Sequence, residues 1–356
     1  MIGAAIPLDE VIRIFFLATV AFVVAFLFAP LLIRFLQSHK LGKQIRDGIS
    51  APIFAALHKQ KSGTPTMGGM LIWGTVIVIV CVLALFAWID GPFFDALNIL
   101  SRAQTYLPFA ALLATAAVGL IDDLFNIRKI GPHGGGLRMR HRLILYTLIA
   151  FVGALWFYFK LDWDVLHIPF VGTFSLGLWY IPVFIFIIVA TGFSVNQTDG
   201  LDGLAGGVLL CAFAAYAAIA FVLGRYDLAA FLAVIIGALT VFLWYNIYPA
   251  KFFMGDTGSM SLGVTLGIVA MFTNYALLLP IISVVLVVES ASTLLQIASK
   301  KLRGGKKIFL SSPIHHHLEA KGWPEPNVVL RLWLIAGLGA MIGVVLVLLD
   351  RGVGIG

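Results

Sequence analysis

Two adjacent aspartates, Asp122 and Asp123, end a long apolar run and are the first residues whose types and spacing can do chemistry. Adjacent carboxylates repel each other unless a cation or a basic side chain offsets their charge. The pair therefore fits a Mg²⁺ ion, which prefers oxygen ligands, or a general base formed by one of the two carboxylates. The alternative is a solvated helix end beside Arg128 and Lys129.

A second polar segment, residues 196–203 with the sequence NQTDGLDG, begins with Asn196 and contains two more carboxylates. Asp199 and Asp202 are three residues apart, so they are predicted to share a face if the segment forms a helical turn. The glycines of this segment let the backbone approach a ligand closely. This density of polar residues and glycines favours a ligand site over the alternative, a capped turn that opens the next apolar segment.

A third segment, residues 252–259 with the sequence FFMGDTGS, places Asp256 between two glycines just before an apolar run. This position suits a metal ligand, or a carboxylate beside a phosphate bound at a helix N-terminus. The motif is short, and aspartate is also a common helix N-cap. Phe252 and Phe253 either stack on a nucleobase or anchor the chain at the membrane interface.

Histidines and lysines supply further candidates. His315, His316 and His317 are consecutive and cannot share one helix face, so a closed three-histidine metal site is disfavoured. Hydrogen bonding to phosphate or sugar fits them better, and a polar loop without a ligand is the alternative. Lys59 and Lys61 precede a segment rich in glycine and threonine. They can hold a pyrophosphate, although taken alone they fit positively charged membrane anchors better.

One carboxylate, Glu289, lies well inside an apolar run. An ionisable residue at such a position is a functional candidate by default. It is explained equally well as a structural partner of Ser290, Ser292 or Gln296, and both interpretations stay open.

The elements that must position these residues are membrane helices. Of the 356 residues, 61% are hydrophobic and 12% are charged. A soluble domain carries about 25% charged residues, so this composition excludes a soluble enzyme, a disordered chain and a nucleic-acid-binding module. We predict an all-α integral membrane protein with one polytopic domain over residues 1–356. The ten predicted transmembrane segments are 11–36, 67–89, 105–121, 142–159, 178–193, 204–223, 228–246, 260–273, 275–299 and 328–349.

The distribution of basic residues predicts the orientation. The odd-numbered connections between these segments hold seventeen of the 24 lysines and arginines. By the positive-inside rule these connections lie in the cytoplasm and both termini lie outside. The polar motifs, apart from Glu289, fall on this same face. We therefore expect a cytoplasmic cleft of carboxylates, Mg²⁺ and basic side chains, which fits an anionic, phosphorylated substrate and a lipid as second reactant.

The chain resembles the MraY family, the phospho-N-acetylmuramoyl-pentapeptide transferases, within the polyprenyl-phosphate N-acetylhexosamine-1-phosphate transferase superfamily. The resemblance rests on these motifs: GTPTMGG (63–69), the aspartate pair, NQTDGLDGLA (196–205), YNIYPAKFFMGDTGS (245–259), VVESASTLLQ (287–296) and PIHHHLEAKGWPEP (313–326). It implies ten transmembrane helices, both termini periplasmic, and a homodimer among the membrane lipids of the bacterial cytoplasmic (inner) membrane. The implied reaction joins UDP-MurNAc-pentapeptide to undecaprenyl phosphate with Mg²⁺, giving lipid I and UMP.

The same resemblance implies the roles of the site residues. The Mg²⁺ ligands would be Asp256 and Asn196, and the catalytic carboxylates would be Asp122, Asp123 and Asp256. The nucleotide pocket would be shaped by Asn196, Asp199, Asp202, Asn246 and Phe253, with Phe253 stacked on uracil. The diphosphate and sugar would contact Lys61, Thr66, His315, His316 and His317.

Two positions depart from the family pattern. Asn126 stands where the first motif usually has a lysine, and Phe193 stands where members often have an asparagine. These departures concern the details of phosphate binding rather than the reaction class. Two other functions stay open: a related polyprenyl-phosphate GlcNAc-1-phosphate transferase that uses another UDP-aminosugar, and a non-catalytic transporter or scaffold for lipid-linked sugars.

Overall fold

The computed structural model describes residues 7–42, 61, 63–87, 97–100, 103–131 and 135–352, and most of these residues are helical, as predicted. The α-helices of this part are α1 (Leu8–Ser38), α2 (Met70–Ala87), α3 (Ala103–Ile127), α4 (Met139–Leu155), α5 (Tyr180–Thr198), α6 (Leu204–Val222), α7 (Tyr226–Asn246), α8 (Gly255–Thr273), α9 (Leu279–Ile282), α10 (Val284–Leu302), α11 (Ile314–Ala320) and α12 (Glu325–Asp350). An antiparallel hairpin, β1 (Val165–Ile168) and β2 (Gly172–Ser175), lies between α4 and α5 and departs from the all-α prediction.

The protein is a multi-pass membrane protein. Among the described helices, eight are long and apolar enough to cross a membrane, namely α1 to α7 and α12, and a bent pair of segments adds a ninth if it counts as one span. These correspond to nine of the ten predicted segments. The remaining predicted segment, 260–273, forms helix α8, which is not long and apolar enough to cross a membrane by the same criterion.

Helix α8 lies inside the protein. Every residue of α8 except Asp256 is buried. Glycines allow its neighbours to approach closely: a Cβ on Gly119 of α3 would lie 2.3 Å from the carbonyl oxygen of Asp256. A Cβ on Gly263 of α8 would lie 2.9 Å from the Cα of Gly192 in α5. A helix enclosed in this way needs no lipid-facing apolar stripe, and it brings Asp256 between α3 and α5.

The chain breaks after α8 where the sequence predicted. Asn274 follows α8 in the left-handed conformation, with φ +59°, and so ends the helix. The next segment was predicted as one helix over 275–299, and this was wrong. Ala276–Ile282 and Val284–Leu302 are bent by 84° relative to each other at Ser283. The bend lets the polar face of α10 reach partners elsewhere in the protein, such as the hydroxyl of Ser194, which lies 2.9 Å from that of Ser290.

Candidate active site

Asp123 caps the N-terminus of α8. Its two carboxylate oxygens accept hydrogen bonds from the backbone N–H groups of Asp256 and Thr257, each at 3.0 Å. The first N–H groups of a helix have no intrahelical partner, and the helix N-terminus favours negative charge. Asp123 therefore fixes the start of α8, and with it Asp256, against α3.

Asp122 faces a different partner, Arg142 in the first turn of α4. The Nε of Arg142 lies 2.6 Å from a carboxylate oxygen of the fully buried Asp122, as an ion pair rather than an aligned hydrogen bond. Its Nη1 and Nη2 donate to the two carboxylate oxygens of Asp256 at 3.1 and 2.9 Å. One guanidinium thus balances two carboxylates. The repulsion expected between Asp122 and Asp123 is avoided because the two side chains have different partners.

Arg142 was not among the predicted site residues, because it appeared in the sequence as one of many basic residues on one face of the membrane. Its position on α4 carries the missed signal. Arg142 lies four residues before the buried Tyr146 and eight before the buried Ala150, whereas Arg140 is exposed. A basic residue in register with the buried face of a helix is an unusual membrane anchor, and this pattern could have singled it out.

Asn196, near the end of α5, joins these residues, and we call Asp122, Asp123, Arg142, Asn196 and Asp256 the carboxylate cluster. The Asn196 amide nitrogen donates to Asp256 at 2.6 Å, and its amide oxygen accepts a hydrogen bond from Arg142 at 3.2 Å. The cluster therefore combines carboxylate and amide oxygens, which are the ligands that Mg²⁺ prefers.

A metal site made only of protein side chains is not present in the described part of the chain, where no three His, Cys, Asp or Glu side chains group together as ligands. Mg²⁺ usually keeps several waters and binds one or two carboxylates together with substrate phosphates. The carboxylate cluster provides that smaller set in Asp256 and Asp122.

The GTPTMGG segment lies directly against the FFMGDTGS segment. The backbone N–H of Gly68 donates to the carbonyl of Phe253 at 2.7 Å. This approach requires glycine, because a Cβ on Gly68 would lie 2.2 Å from the ring of Phe252. Thr66 is buried at this contact, and its hydroxyl has no hydrogen-bond partner within the described residues. The two motifs, distant in sequence, therefore form one wall beside the carboxylate cluster.

Lys61, Asp202 and Glu325 form a second charged group, which we call the lysine cluster. The ammonium of Lys61 lies 2.6 Å from Asp202 and 2.5 Å from Glu325. Glu325 also accepts a hydrogen bond from the backbone N–H of Asp202 at 2.8 Å. From the sequence, Lys61 was predicted to bind the diphosphate. Glu325 was not predicted as a site residue, although it belongs to the GWPEP part of a recognised motif. Lys59 lies outside the described residues.

Asn246 and the two phenylalanines take distinct places. Asn246, at the end of α7, accepts a hydrogen bond from the backbone N–H of Gly203 at 3.0 Å and donates to the carbonyl of Phe252 at 2.8 Å. The ring of Phe252 is fully buried, with its centroid 5.3 Å from that of Phe242, so it belongs to the core. Phe253 is partly exposed, with its ring centroid 6.0 Å from the Lys61 ammonium, and remains the candidate for stacking on a base.

Asp199 and Asp202 do not share a helix face, contrary to the prediction. Helix α5 ends at Thr198, and the chain turns before α6 begins at Leu204. Gly203 has φ +81°, a left-handed conformation that glycine adopts without strain and that ends any continuous helix. The backbone therefore forms a turn that opens α6, with no side-chain cap at Gly203. The turn directs Asp202 to Lys61 and to the backbone N–H of Ala250, at 3.0 Å.

The three histidines lie on the short helix α11 and contact three different partners. The Nδ1 of His315 lies 2.8 Å from Glu289, and both side chains are fully buried. The Nδ1 of His316 lies 2.8 Å from Glu319, whereas that of His317 accepts a hydrogen bond from the backbone N–H of Leu310 at 3.1 Å. The three rings therefore have separate hydrogen-bond partners. Their side chains hold α11 in place.

Glu289 thus has a partner that neither interpretation of the sequence had named. The opposite edge of the His315 ring lies against the turn between α5 and α6, since a Cβ on Gly200 would be 2.2 Å from the His315 Nε2. The Glu289 and His315 pair therefore connects α10, α11 and the turn that carries Asp202.

We expect Glu289→Ala to lower the free energy of unfolding by about 1–3 kcal/mol, because it leaves the buried His315 ring nitrogen without its partner. Glu289→Gln keeps an acceptor oxygen and should lose less than half as much. Thermal denaturation of the two purified variants in detergent measures the difference. Equal stability of Glu289→Ala and the unsubstituted protein would contradict a stabilising role for this contact.

Comparison with known proteins agrees with the geometry of this site. Residues 105–274 match the family described as glycosyl transferase family 4. This stretch contains the whole carboxylate cluster. The chain is thus a multi-pass membrane protein that is similar to this transferase family over residues 105–274.

Three relatives identify the family of the chain more closely. The phospho-N-acetylmuramoyl-pentapeptide-transferase of Chloroflexus aggregans is 37% identical over 358 residues, which cover 97% of this chain and 92% of the relative. The proteins of the same name from Geobacillus thermodenitrificans and Listeria innocua are 38% and 37% identical, over 91% and 92% of this chain and 95% and 96% of their own length. The chain belongs to the phospho-N-acetylmuramoyl-pentapeptide-transferase family, which confirms the resemblance seen in the motifs.

Proposed function

We propose that this protein transfers phospho-MurNAc-pentapeptide from UDP-MurNAc-pentapeptide to undecaprenyl phosphate. In the net reaction, an oxygen of the lipid phosphate bonds to the phosphorus that bears the sugar, and the bond from that phosphorus to UMP breaks. The products are lipid I and UMP. The observation that carries the proposal is the carboxylate cluster, in which one partly buried guanidinium joins Asp122 and Asp256 beside Asn196. Near full-length similarity to relatives named for this reaction favours it over transfer of another aminosugar.

Mg²⁺ is part of this proposal. Asp256 would hold the ion, with Asn196 and Asp122 as the other oxygen donors of the cluster. When bound, it would neutralise the charge on the transferring phosphoryl oxygens. Arg142 pairs with Asp122 and Asp256 and offers a planar guanidinium, the side chain best suited to phosphate oxygens, in the same cluster. Asp123 keeps Asp256 in place through the start of α8.

The nucleotide would lie beside this centre, against the wall formed by the GTPTMGG and FFMGDTGS segments. Phe253 offers a partly exposed ring for stacking on uracil. Asn246 and Asp202 shape the backbone behind that ring through their hydrogen bonds to Gly203 and Ala250. The role proposed for Lys61 is to balance the two carboxylates of the lysine cluster, so that an anionic substrate can approach.

We expect Lys61→Gln to raise KM for the UDP-sugar by about tenfold or more with a smaller change in kcat. Without the ammonium, Asp202 and Glu325 repel each other and the anionic substrate. Lys61→Arg keeps the charge and should stay within about threefold of the unsubstituted enzyme. Steady-state kinetics at saturating undecaprenyl phosphate provides the measurement, and an unchanged KM in Lys61→Gln would remove Lys61 from substrate binding.

We further propose that the carboxylate cluster faces the cytoplasm, that both termini lie outside the cytoplasmic membrane, and that the protein acts as a homodimer. The orientation rests on the distribution of basic residues and can be tested with single cysteines. In a background lacking Cys81 and Cys211, Lys40→Cys should resist an impermeant thiol reagent added to intact cells, whereas Lys160→Cys should react. Both positions are exposed: Lys40 follows α1, and Lys160 ends a short π-helix, Trp156–Lys160, that forms the extension of α4. The opposite labelling pattern would invert the topology.

The test of the function is UMP release by the purified protein with undecaprenyl phosphate and Mg²⁺. We expect release with UDP-MurNAc-pentapeptide, none with UDP-GlcNAc, and loss of activity on chelation. Release only with UDP-GlcNAc would keep the chemistry but replace the substrate. No release with either donor would favour a non-catalytic role.

A further inference from the structure

The end of the molecule opposite to the carboxylate cluster contains a polar cavity of about 410 Å³. Its lining, which defines what we call the distal cavity, includes His167, Thr173, Arg225, Tyr275, Asp350 and Arg351. Helix α8 connects the two sites, with Asp256 in its first turn and Thr273 as its last residue. Nineteen helical residues span about 28 Å, close to the thickness of the hydrocarbon core of a bilayer. The distal cavity is therefore separate from the candidate active site and lies at the level of the opposite headgroups.

The single carboxylate of the distal cavity is already engaged. Asp350 accepts hydrogen bonds from the hydroxyl of Tyr275 at 2.6 Å and from the backbone N–H of Phe170 at 2.5 Å, and it lies 2.7 Å from His167 Nε2. Burial and the bond to Asp350 raise the pKa of Tyr275 above its ordinary value, so this hydroxyl stays protonated and donates. His167 is in turn held by the Thr173 hydroxyl at 2.9 Å. This network orders the cavity wall and provides the Asp350 carboxylate with its hydrogen-bond partners.

The two guanidiniums of the distal cavity have no such partner. Within the described residues, neither Arg225 nor Arg351 forms an ion pair. Arg225 donates to the backbone carbonyl of Phe272 at the end of α8 and lies over the ring of Trp163, at 5.0 Å from its centroid. A guanidinium has five N–H donors, so most of them remain for a ligand. Burial lowers the pKa of Arg225, since no neighbouring carboxylate compensates for its lost solvation.

We propose that the distal cavity binds a phosphate group, held by Arg225 and Arg351. Two arginines in a preformed polar cavity match the geometry and charge of phosphate oxygens, and the volume of the cavity exceeds that of one phosphate. The group can belong to an anionic lipid headgroup or to a free phosphate, because both offer the same oxygens at this depth. The proposal does not depend on the reaction catalysed at the carboxylate cluster.

The experiment compares Arg351→Gln with Lys160→Gln, which removes an exposed positive charge at the same end of the molecule but outside the distal cavity. Arg351 is exposed, and its side chain forms no hydrogen bond or ion pair within the described residues, so this variant is expected to fold. Two probes are used on detergent-purified protein: retention of phosphatidylglycerol, counted by native mass spectrometry, and stabilisation by inorganic phosphate against chloride at equal ionic strength.

We expect Arg351→Gln to weaken binding of at least one probe by about tenfold or more, and Arg225→Gln/Arg351→Gln to abolish it, with Lys160→Gln unchanged. Loss confined to phosphatidylglycerol identifies a lipid headgroup as the source, and loss confined to inorganic phosphate identifies a soluble one. UMP release by Arg351→Gln should equal that of the unsubstituted protein, which separates this site from the active site. The proposal is overturned if the unsubstituted protein binds neither probe, or if Arg351→Gln and Lys160→Gln bind equally well.

Discussion

Asp256→Asn is expected to slow UMP release by about 10³-fold or more, which corresponds to roughly 4 kcal/mol of lost transition-state stabilisation. The substitution keeps the shape of the side chain but removes the charge that balances Arg142 and that would hold Mg²⁺. The protein should still fold, because the start of α8 is held through the backbone N–H of residue 256, which the substitution leaves in place. Initial rates of UMP release at saturating substrates and Mg²⁺ provide the measurement.

The matched control is Asp162→Asn, the same chemical change at an exposed carboxylate after the extension of α4. It should retain the full rate. A rate for Asp256→Asn within tenfold of the control would show that the carboxylate of residue 256 does not take part in the reaction. Thermal denaturation of both variants distinguishes lost chemistry from lost structure.

Arg142→Gln is expected to lower the free energy of unfolding by about 3–5 kcal/mol, a larger loss than that expected for Glu289→Ala. The substitution leaves the fully buried Asp122 without its ionic partner, next to a second carboxylate at residue 256. An uncompensated buried charge is costly because it has lost its hydration and gained nothing in return. Arg140→Gln is the matched control, since this arginine lies two residues away, is exposed, and should be replaceable without loss.

The cause of this effect can be isolated by a second substitution. In the double variant Arg142→Gln/Asp122→Asn, the buried charge is removed together with its partner, and more than half of the lost stability should return. Such non-additivity is typical of residues in direct contact. Thermal midpoints of the single variants and the double variant supply the cycle. A double variant no more stable than Arg142→Gln alone would mean that Arg142 stabilises the protein by packing and not by charge.

The membrane class and most of the spans could be predicted from the sequence because apolar length is a local property of the chain. Helix α8 shows what such a local property leaves out. Residues 260–273 are helical as predicted, but their burial depends on α3 and α5, whose positions the sequence of α8 does not contain. The bend at Ser283 was missed for the same reason, because it serves contacts that α10 makes with other elements.

The site residues divide in a similar way. Asp122, Asp123, Asn196 and Asp256 stood out because polar residues at the ends of apolar segments on one face of the membrane must meet. The structure does bring them together. Their individual partners were not predictable, since Asp123 caps a helix that begins more than 130 residues later in the chain. Arg142 and Glu325 were overlooked because a basic residue near a membrane and a glutamate before a helix each have a common structural explanation.

The enclosure of α8 has a consequence for biogenesis. Nascent helices enter the bilayer according to their own apolarity. Apart from the bent pair, α8 is the long helix among the described residues that is not apolar enough to cross a membrane by itself. Its neighbours α3, α5 and α6 all precede it in the chain and are synthesised first. They can therefore receive α8 directly, without its residence among lipids. Asp256 meets Asp123 and Asn196 only when α3 and α5 have inserted correctly, so a misinserted chain would lack the carboxylate cluster.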